Sequence, residues 1–304
     1  MITSPTGPAA RRRVPPPVRA TTAAALCGAA AVTVLALAPA PPADAAPRDL
    51  DRYYRYFDVG PKRIPGSDTY WTPQGLAYWA EQDALVISYY DSQGRRNSRL
   101  AVIDRTTGAR KKLLAMPTKG HVGGLAMSRR HLWVANNGRL VRFTKKALTR
   151  KKNLKPLKSA GSWKVAASSF LTIHGRSLWV GSFEKGANGT GRAYRHDLDA
   201  KDRPSGARQT LTTPSRVQGM TISGDRVIWS RSYGRDVRSR IDVAKLSNPT
   251  RPIRIIHAPN MSEGIVAVGG RLHVLYESGS KTYADASYRI RSVHHGSLTG
   301  VLGP

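Results

Sequence analysis

The residues best placed to do chemistry in this chain are two glutamates, Glu263 and Glu277, 14 residues apart near its C-terminal end. One stands just ahead of the apolar run GIVAV and the other just after the next run, RLHVLY. If those runs are antiparallel neighbours, both carboxyls reach the same end of one sheet, where two carboxyls can act as general acid and general base. Asp91, after an earlier run, and His121, before another, complete a candidate catalytic set of Glu263, Glu277, Asp91 and His121. The same oxygens suit a second chemistry: Glu263 with Asn136 could hold a hard cation such as calcium, whose ligands are oxygens. The amides Gln74, Asn136, Asn137 and Gln218 stand at corresponding strand ends and read as ligand-binding groups. A structural reading runs beside these, since amide and small side chains at strand ends also satisfy buried backbone groups. His121, a lone imidazole, equally serves as a hydrogen-bonded loop residue.

These positions correspond because the sequence repeats. Five segments restart one pattern: QGLAYW from Gln74, GGLAMS from Gly123, SFLTIHG from Ser169, QGMTIS from Gln218 and EGIVAV from Glu263. Their anchors, Gly75, Gly124, Phe170, Gly219 and Gly264, are 49, 46, 49 and 45 residues apart. A second apolar run follows each anchor (LVIS, LWVA, LWVG, VIWS, LHVL), and a third element opens at Arg99, Arg139, Arg192, Arg240 and Arg289. A period in this range is that of a β-propeller blade of four short strands. The expected fold is therefore an all-β, five-bladed propeller over residues 70–304. Its outer strands fall at 111–116, near Leu154, at 209–212 and at 253–257. The last copy is short by one strand after a third strand over 288–293, so the segment 52–59, RYYRYFDV, is expected to close the ring from the N-terminal side. In such blades the loops ahead of strand one and after strand two share a face, and here they vary in length, so function is expected there.

The five in-register arginines, Arg99, Arg139, Arg192, Arg240 and Arg289, would form a ring whose guanidinium forks could grip an anionic ligand. Equally, a residue repeated in every blade stitches the scaffold. The chain has 49 Lys and Arg against 19 Asp and Glu; four of those arginines and one aspartate lie in residues 1–45, which leaves a net +27 beyond them. Such a field draws polyanions, nucleic acid included but without specific recognition. A further basic run, KKALTRKKNLKPLK over 145–158, carries no aromatic residue on which bases could stack.

Residues 1–45 read as a secretory signal: Arg11, Arg12, Arg13 and Arg19, an apolar stretch from about Thr21 to Leu37, and small residues to a cleavage point after about Ala45. The Sec and twin-arginine routes both remain open. The single cysteine, Cys27, lies within that signal, so the expected mature chain has neither thiol nor disulfide, and it contains no spanning segment. Residues 46–69 carry the closing strand ahead of the propeller. No serine elbow, phosphate-binding glycine loop or HExxH helix occurs.

On its signal, composition and G-L-A…L-W-V spacing over residues 70–304, the chain resembles secreted β-propeller proteins of actinobacteria, in the superfamily of lactonase-type and NHL/YVTN-type propellers. That resemblance implies calcium or zinc at the channel mouth held by a glutamate, asparagines and an aspartate; Glu263 and Asn136 match the first two roles. The stretch 89–108, YYDSQGRRNSRLAVIDRTTG, is similar to a blade of the plant-type glutaminyl cyclases, five-bladed propellers with acidic residues and tryptophans around the channel. Glu263 and Glu277 answer to the acids, while Trp133, Trp179 and Trp229 fall within second strands and read as core. Two functions are expected to compete: a secreted binding module for an anionic cell-envelope or extracellular polymer, and a lactonase-like or glutaminyl-cyclase-like enzyme working at the channel mouth.

Overall fold

The structure is a computed structural model that describes residues 50–303. A helical turn, α1 (Asp51–Tyr54), precedes strand β1 (Phe57–Val59). Blade one is β2 (Trp71–Trp79), β3 (Ala84–Asp91), β4 (Arg99–Asp104) and β5 (Arg110–Ala115). Blade two is β6 (Gly124–Met127), β7 (His131–Asn136), β8 (Arg139–Thr144), the short helix α2 (Lys145–Arg150) and β9 (Gly161–Lys164). Blade three comprises β10 (Phe170–His174), β11 (Ser177–Gly181), β12 (Thr190–Asp197) and β13 (Gln209–Pro214). Blade four comprises β14 (Val217–Ser223), β15 (Arg226–Arg231), β16 (Ser239–Lys245) and β17 (Pro252–Ala258). Blade five holds β18 (Ser262–Val268), β19 (Arg271–Tyr276) and β20 (His294–Ser297), followed by α3 (Leu298–Leu302).

Each blade is a four-stranded antiparallel sheet, and the fifth is completed by β1, which pairs Phe57 with Gly296 and Val59 with His294. The ring therefore closes through the N-terminal segment, as the missing strand required. Only Phe57–Val59 is extended, however; the aromatic residues before it form α1, whose Tyr53 is buried under the sheet with its hydroxyl 2.9 Å from His294 Nδ1.

Five apolar clusters fill the five gaps between successive blades. Leu100 and Leu114 of blade one meet Leu125 and Val134 of blade two, Trp133 meets Leu171, and Phe170 meets Met220. Ile241 meets Ile265, and Leu275 meets Leu76 to complete the circuit. Second strands are buried on both faces, as β7 is along its whole length, whereas the outer strands β9 and β17 alternate exposed and half-buried residues.

Packing round the axis explains the repeated glycine. A Cβ on Gly219 would lie 2.6 Å from the Glu263 carbonyl oxygen, and one on Gly264 would lie 2.5 Å from the Leu76 nitrogen. Neighbouring inner strands thus approach too closely for any side chain there.

Two other elements depart from the sequence expectation. Blade two's outer strand is β9 rather than a strand near Leu154, because KKALTR forms α2, capped where Thr144 Oγ1 accepts from the Ala147 N–H at 3.1 Å. In blade five the third strand is β20, so His294 and His295 lie in the sheet and not in a turn after it; residues 277–293 are a long loop. The proposed signal at 1–45 lies outside the described residues. Among those described, no helix is long and apolar enough to cross a membrane.

Candidate functional site

The variable ends of the blades surround a cavity of about 400 Å³ at the mouth of the channel. Three inner strands deliver polar side chains to it through irregularities in pairing: the register shifts between Pro73 and Leu76, between Val217 and Gly219, and between Ser262 and Ile265. Such bulges re-aim side chains, and Gln74, Gln218 and Glu263, which sit inside these shifts, all line the cavity. His121, Asn136, Asn137 and Glu277 line it too. Seven of the expected site residues therefore meet at one opening.

The two glutamates lie side by side on its wall, their carboxyls within hydrogen-bonding reach of each other. Glu263 is 2% exposed, and burial, followed by the charge of Glu277, holds its carboxyl well above the usual range. Burial also raises Glu277, to about 7, against the opposing pull of hydrogen bonds from Tyr283 and Gln74. The Gln74 amide donates to Glu277 Oε2 at 2.8 Å and to the Pro73 carbonyl at 3.1 Å, which fixes its orientation. Two carboxyls this close do not ionise together, so once Glu277 gives up its proton, above about pH 7, Glu263 keeps its own and Glu277 accepts. One member is a ready acid and the other a ready base.

A tyrosine pair extends the network, with the hydroxyls of Tyr90 and Tyr283 3.1 Å apart. Burial and then the charge of Glu277 raise both phenols, Tyr90 to about 12, so each remains a donor. Tyr283 is held by the Glu277–Tyr288 side of blade five, whose loop is tied to blade one: Lys281 N donates to Thr69 O at 2.7 Å and Ser280 Oγ lies 3.0 Å from Thr72 Oγ1. His121 stands at the rim with its ring 4.4 Å from that of Tyr90, and partial burial there lowers its pKa. Next to it Val122 adopts φ 49°, a left-handed conformation disfavoured for a β-branched residue. The turn is held by Asn136 Oδ1, which accepts from Val122 N at 3.3 Å, and by Ser88 Oγ, which donates to Val122 O at 2.7 Å. Backbone strain kept at a polar opening is a feature of functional sites.

The remaining expected residues go elsewhere. Asp91 turns outward from the cavity; its buried carboxylate takes Arg96 Nε at 3.0 Å and the Arg96 N–H at 2.9 Å. The arginines do not ring the mouth, because a third strand lies two strands out from the axis. Arg99 lies over the Trp71 ring at 3.8 Å, Arg139 donates to Ser162 Oγ at 2.6 Å, and Arg240 grips Asp242 through two bonds of 3.0 Å. Arg289 donates to Asp68 at 2.8 Å from a loop, and Arg192 projects into solvent. Four of the five are committed to scaffold contacts.

Of the calcium arrangement, Glu263 lies beside Glu277 on the cavity wall, whereas the Asn136 amide is taken by Val122 N and by Thr118 Oγ1, each at 3.3 Å, and no group of three or more His, Cys, Asp or Glu gathers as a metal set among the described residues. Sequence reasoning missed Tyr90 and Tyr283 as members of the acid network, together with Phe183 on the wall. Tyr90 stood beside Asp91 at a strand end and was legible as such; Tyr283 lies mid-loop and carried no periodic signal.

No protein-family model matches the chain, and no curated protein matches it. Solved structures do. A tail fiber of Staphylococcus aureus phage P68 matches 83% of this chain at 14% identity with a TM-score of 0.55. The Kuenenia stuttgartiensis hydrazine synthase matches 71% at 13% identity and 0.40, and a luciferin-regenerating enzyme matches 80% of this chain and 96% of its own at 12% identity and 0.44. The chain spans 56% of the length of each of the first two. At these identities the likeness is one of fold, and the fold is a five-bladed β-propeller of four-stranded sheets.

Proposed function

We propose that the channel mouth is an acid–base active site acting on a small, uncharged substrate with a reactive carbonyl, in a secreted protein. The observation that carries this reading is the pair of buried Glu263 and half-buried Glu277, oriented by Gln74 and Tyr283 and open to a cavity of about 400 Å³. In such a site Glu277 takes a proton from the attacking water or amine as its oxygen or nitrogen bonds to the carbonyl carbon. Glu263 gives its proton to the alkoxide or amine that departs, and the pair ends with one proton, as it began. Lactone hydrolysis and cyclisation of an N-terminal glutamine both meet this description. No lysine or arginine lines the cavity, and Arg235, the cation that acts on Glu277, stands behind the Tyr283 ring at 5.2 Å and not on the wall, which favours an uncharged substrate. Turnover of a panel of lactones and glutaminyl peptides tests the proposal. Glu263→Gln and Glu277→Gln should each lose roughly 10²- to 10⁴-fold in kcat. Absence of turnover across both classes by the unaltered protein, or full activity in Glu277→Gln, overturns it.

A second reading concerns location. Lys146, Arg150, Lys151, Lys152, Lys155 and Lys158 are exposed along α2 and the segment after it. In this reading the edge docks on an anionic envelope or matrix polymer, apart from the mouth, and would hold a secreted enzyme against such a surface. Binding to a polyanion resin should weaken steeply with salt and with charge removal at these six positions.

A further inference from the structure

A second concavity, of about 410 Å³, opens on the flank of the ring between blades two and three. Trp163 and Lys164 of β9 with the two residues after them, Tyr194 and His196 of β12 and the loop 204–207 form its walls. His196 is only 7% exposed, and its Nδ1 lies 2.9 Å from the Ser205 carbonyl oxygen. A carbonyl only accepts, so Nδ1 carries the proton and, in the neutral ring, Nε2 is left as a bare acceptor. That Nε2 is buried and has no partner in the protein. Buried polar atoms without partners are rare enough to call for a reason. The other orphaned imidazole nitrogen, His273 Nε2, borders a space of about 20 Å³, room for one water and no more. The space at His196 is some twenty times larger. The aromatic wall is rigid, since Trp163 is fixed by Trp133, ring centres 5.5 Å apart, and by Arg142 4.9 Å over its ring.

We propose that this flank pocket binds a carbohydrate unit, with the ring's C–H face lying on the aromatic wall and, on a small shift of the side chains that cover it, a sugar hydroxyl donating to His196 Nε2. A sugar combines the two features the pocket asks for: hydroxyl donors round its edge and apolar faces that pack on aromatic rings. The site is separate from the channel mouth, so it stands or falls independently of the acid–base reading.

Titration of the full-length protein with cellobiose and with chitobiose tests it, read by tryptophan emission and by the ¹⁵N shift of His196 Nε2. Saturable binding to one of these disaccharides is expected, with a shift of that nitrogen. His196→Ala and Tyr194→Ala should each weaken it by roughly tenfold, the effect of losing one hydrogen bond or one packing face. Tyr194 is half-buried, so its variant serves even if His196→Ala fails to fold. No saturable response to either sugar overturns the proposal, as does unchanged affinity in the Tyr194→Ala protein.

Discussion

Replacing Glu277 with glutamine should make the protein more stable in mild alkali. The carboxyl of Glu277 is raised from 4.5 to about 7 by burial, so the folded state holds this proton more tightly than the unfolded chain does. The sign follows from linkage: a raised carboxyl contributes its stability in full below about 4.5 and loses it as pH rises through about 7. At about 1.4 kcal/mol per pH unit, ionising Glu277 costs about 3 kcal/mol by pH 8. For a domain of this size each kcal/mol moves Tm by about 2–4 °C, so the loss amounts to about 6–12 °C. Glutamine is isosteric and keeps an oxygen to accept from Gln74, so little else changes. Melting curves of the unaltered and Glu277→Gln proteins, taken at pH 5, 6, 7 and 8, should coincide at the acid end and diverge upward, with the variant the more stable. If the two Tm profiles run parallel across this range, the shared proton does not exist and the acid–base reading fails with it.

Three further outcomes follow from the scaffold. Phe57 is buried and stacked on Tyr53 with ring centres 4.6 Å apart, so Phe57→Ala should cost about 3–5 kcal/mol, and removal of residues 50–60 should be worse; a truncated protein that melts like the intact one would falsify closure by β1. His294 and His273 are pushed down to about 3 and about 4, chiefly by burial, so the unfolded chain takes up protons first, and stability should fall below about pH 6.5 by up to about 1.4 kcal/mol per unit for each ring. Chemical denaturation from pH 7 to pH 4 checks this, and substitution of His294 by Asn should flatten the acid limb. Asp242, 1% exposed, receives Arg231 at 2.7 Å and Arg240 at 3.0 Å; Asp242→Ala strands two partly buried guanidiniums and should cost roughly 3 kcal/mol by urea denaturation, whereas a loss near zero would show the pairing to be idle.

The repeat was readable because the blades restate one packing problem: in four of the five a glycine where inner strands nearly touch, with Phe170 in its place in blade three, then a second strand apolar on both faces. Strand direction alone then carried Glu263 and Glu277 to one opening, and Gln74 and Gln218 with them. What could not be read was radial position. Arg99 and Arg240 recur in register, yet recurrence says nothing of distance from the axis, and a third strand lies too far out to face the mouth. Asp91 failed for a local reason, since the Arg96 side chain and backbone N–H both claim its carboxylate five residues on. The α2 helix was legible in principle, because Thr144 precedes a run of good helix formers, but the expectation of a fourth strand overrode that cap. Tyr283 depended on a loop held by Ser280 and Thr69, contacts that join residues over 200 positions apart.

The most direct measurement is a pH titration of the side-chain carboxyl ¹³C resonances of Glu263 and Glu277 in the intact protein. A Glu277 midpoint near 7 is expected, with Glu263 titrating well above the ordinary carboxyl range. Two ordinary ionisations close to 4.5 would contradict it.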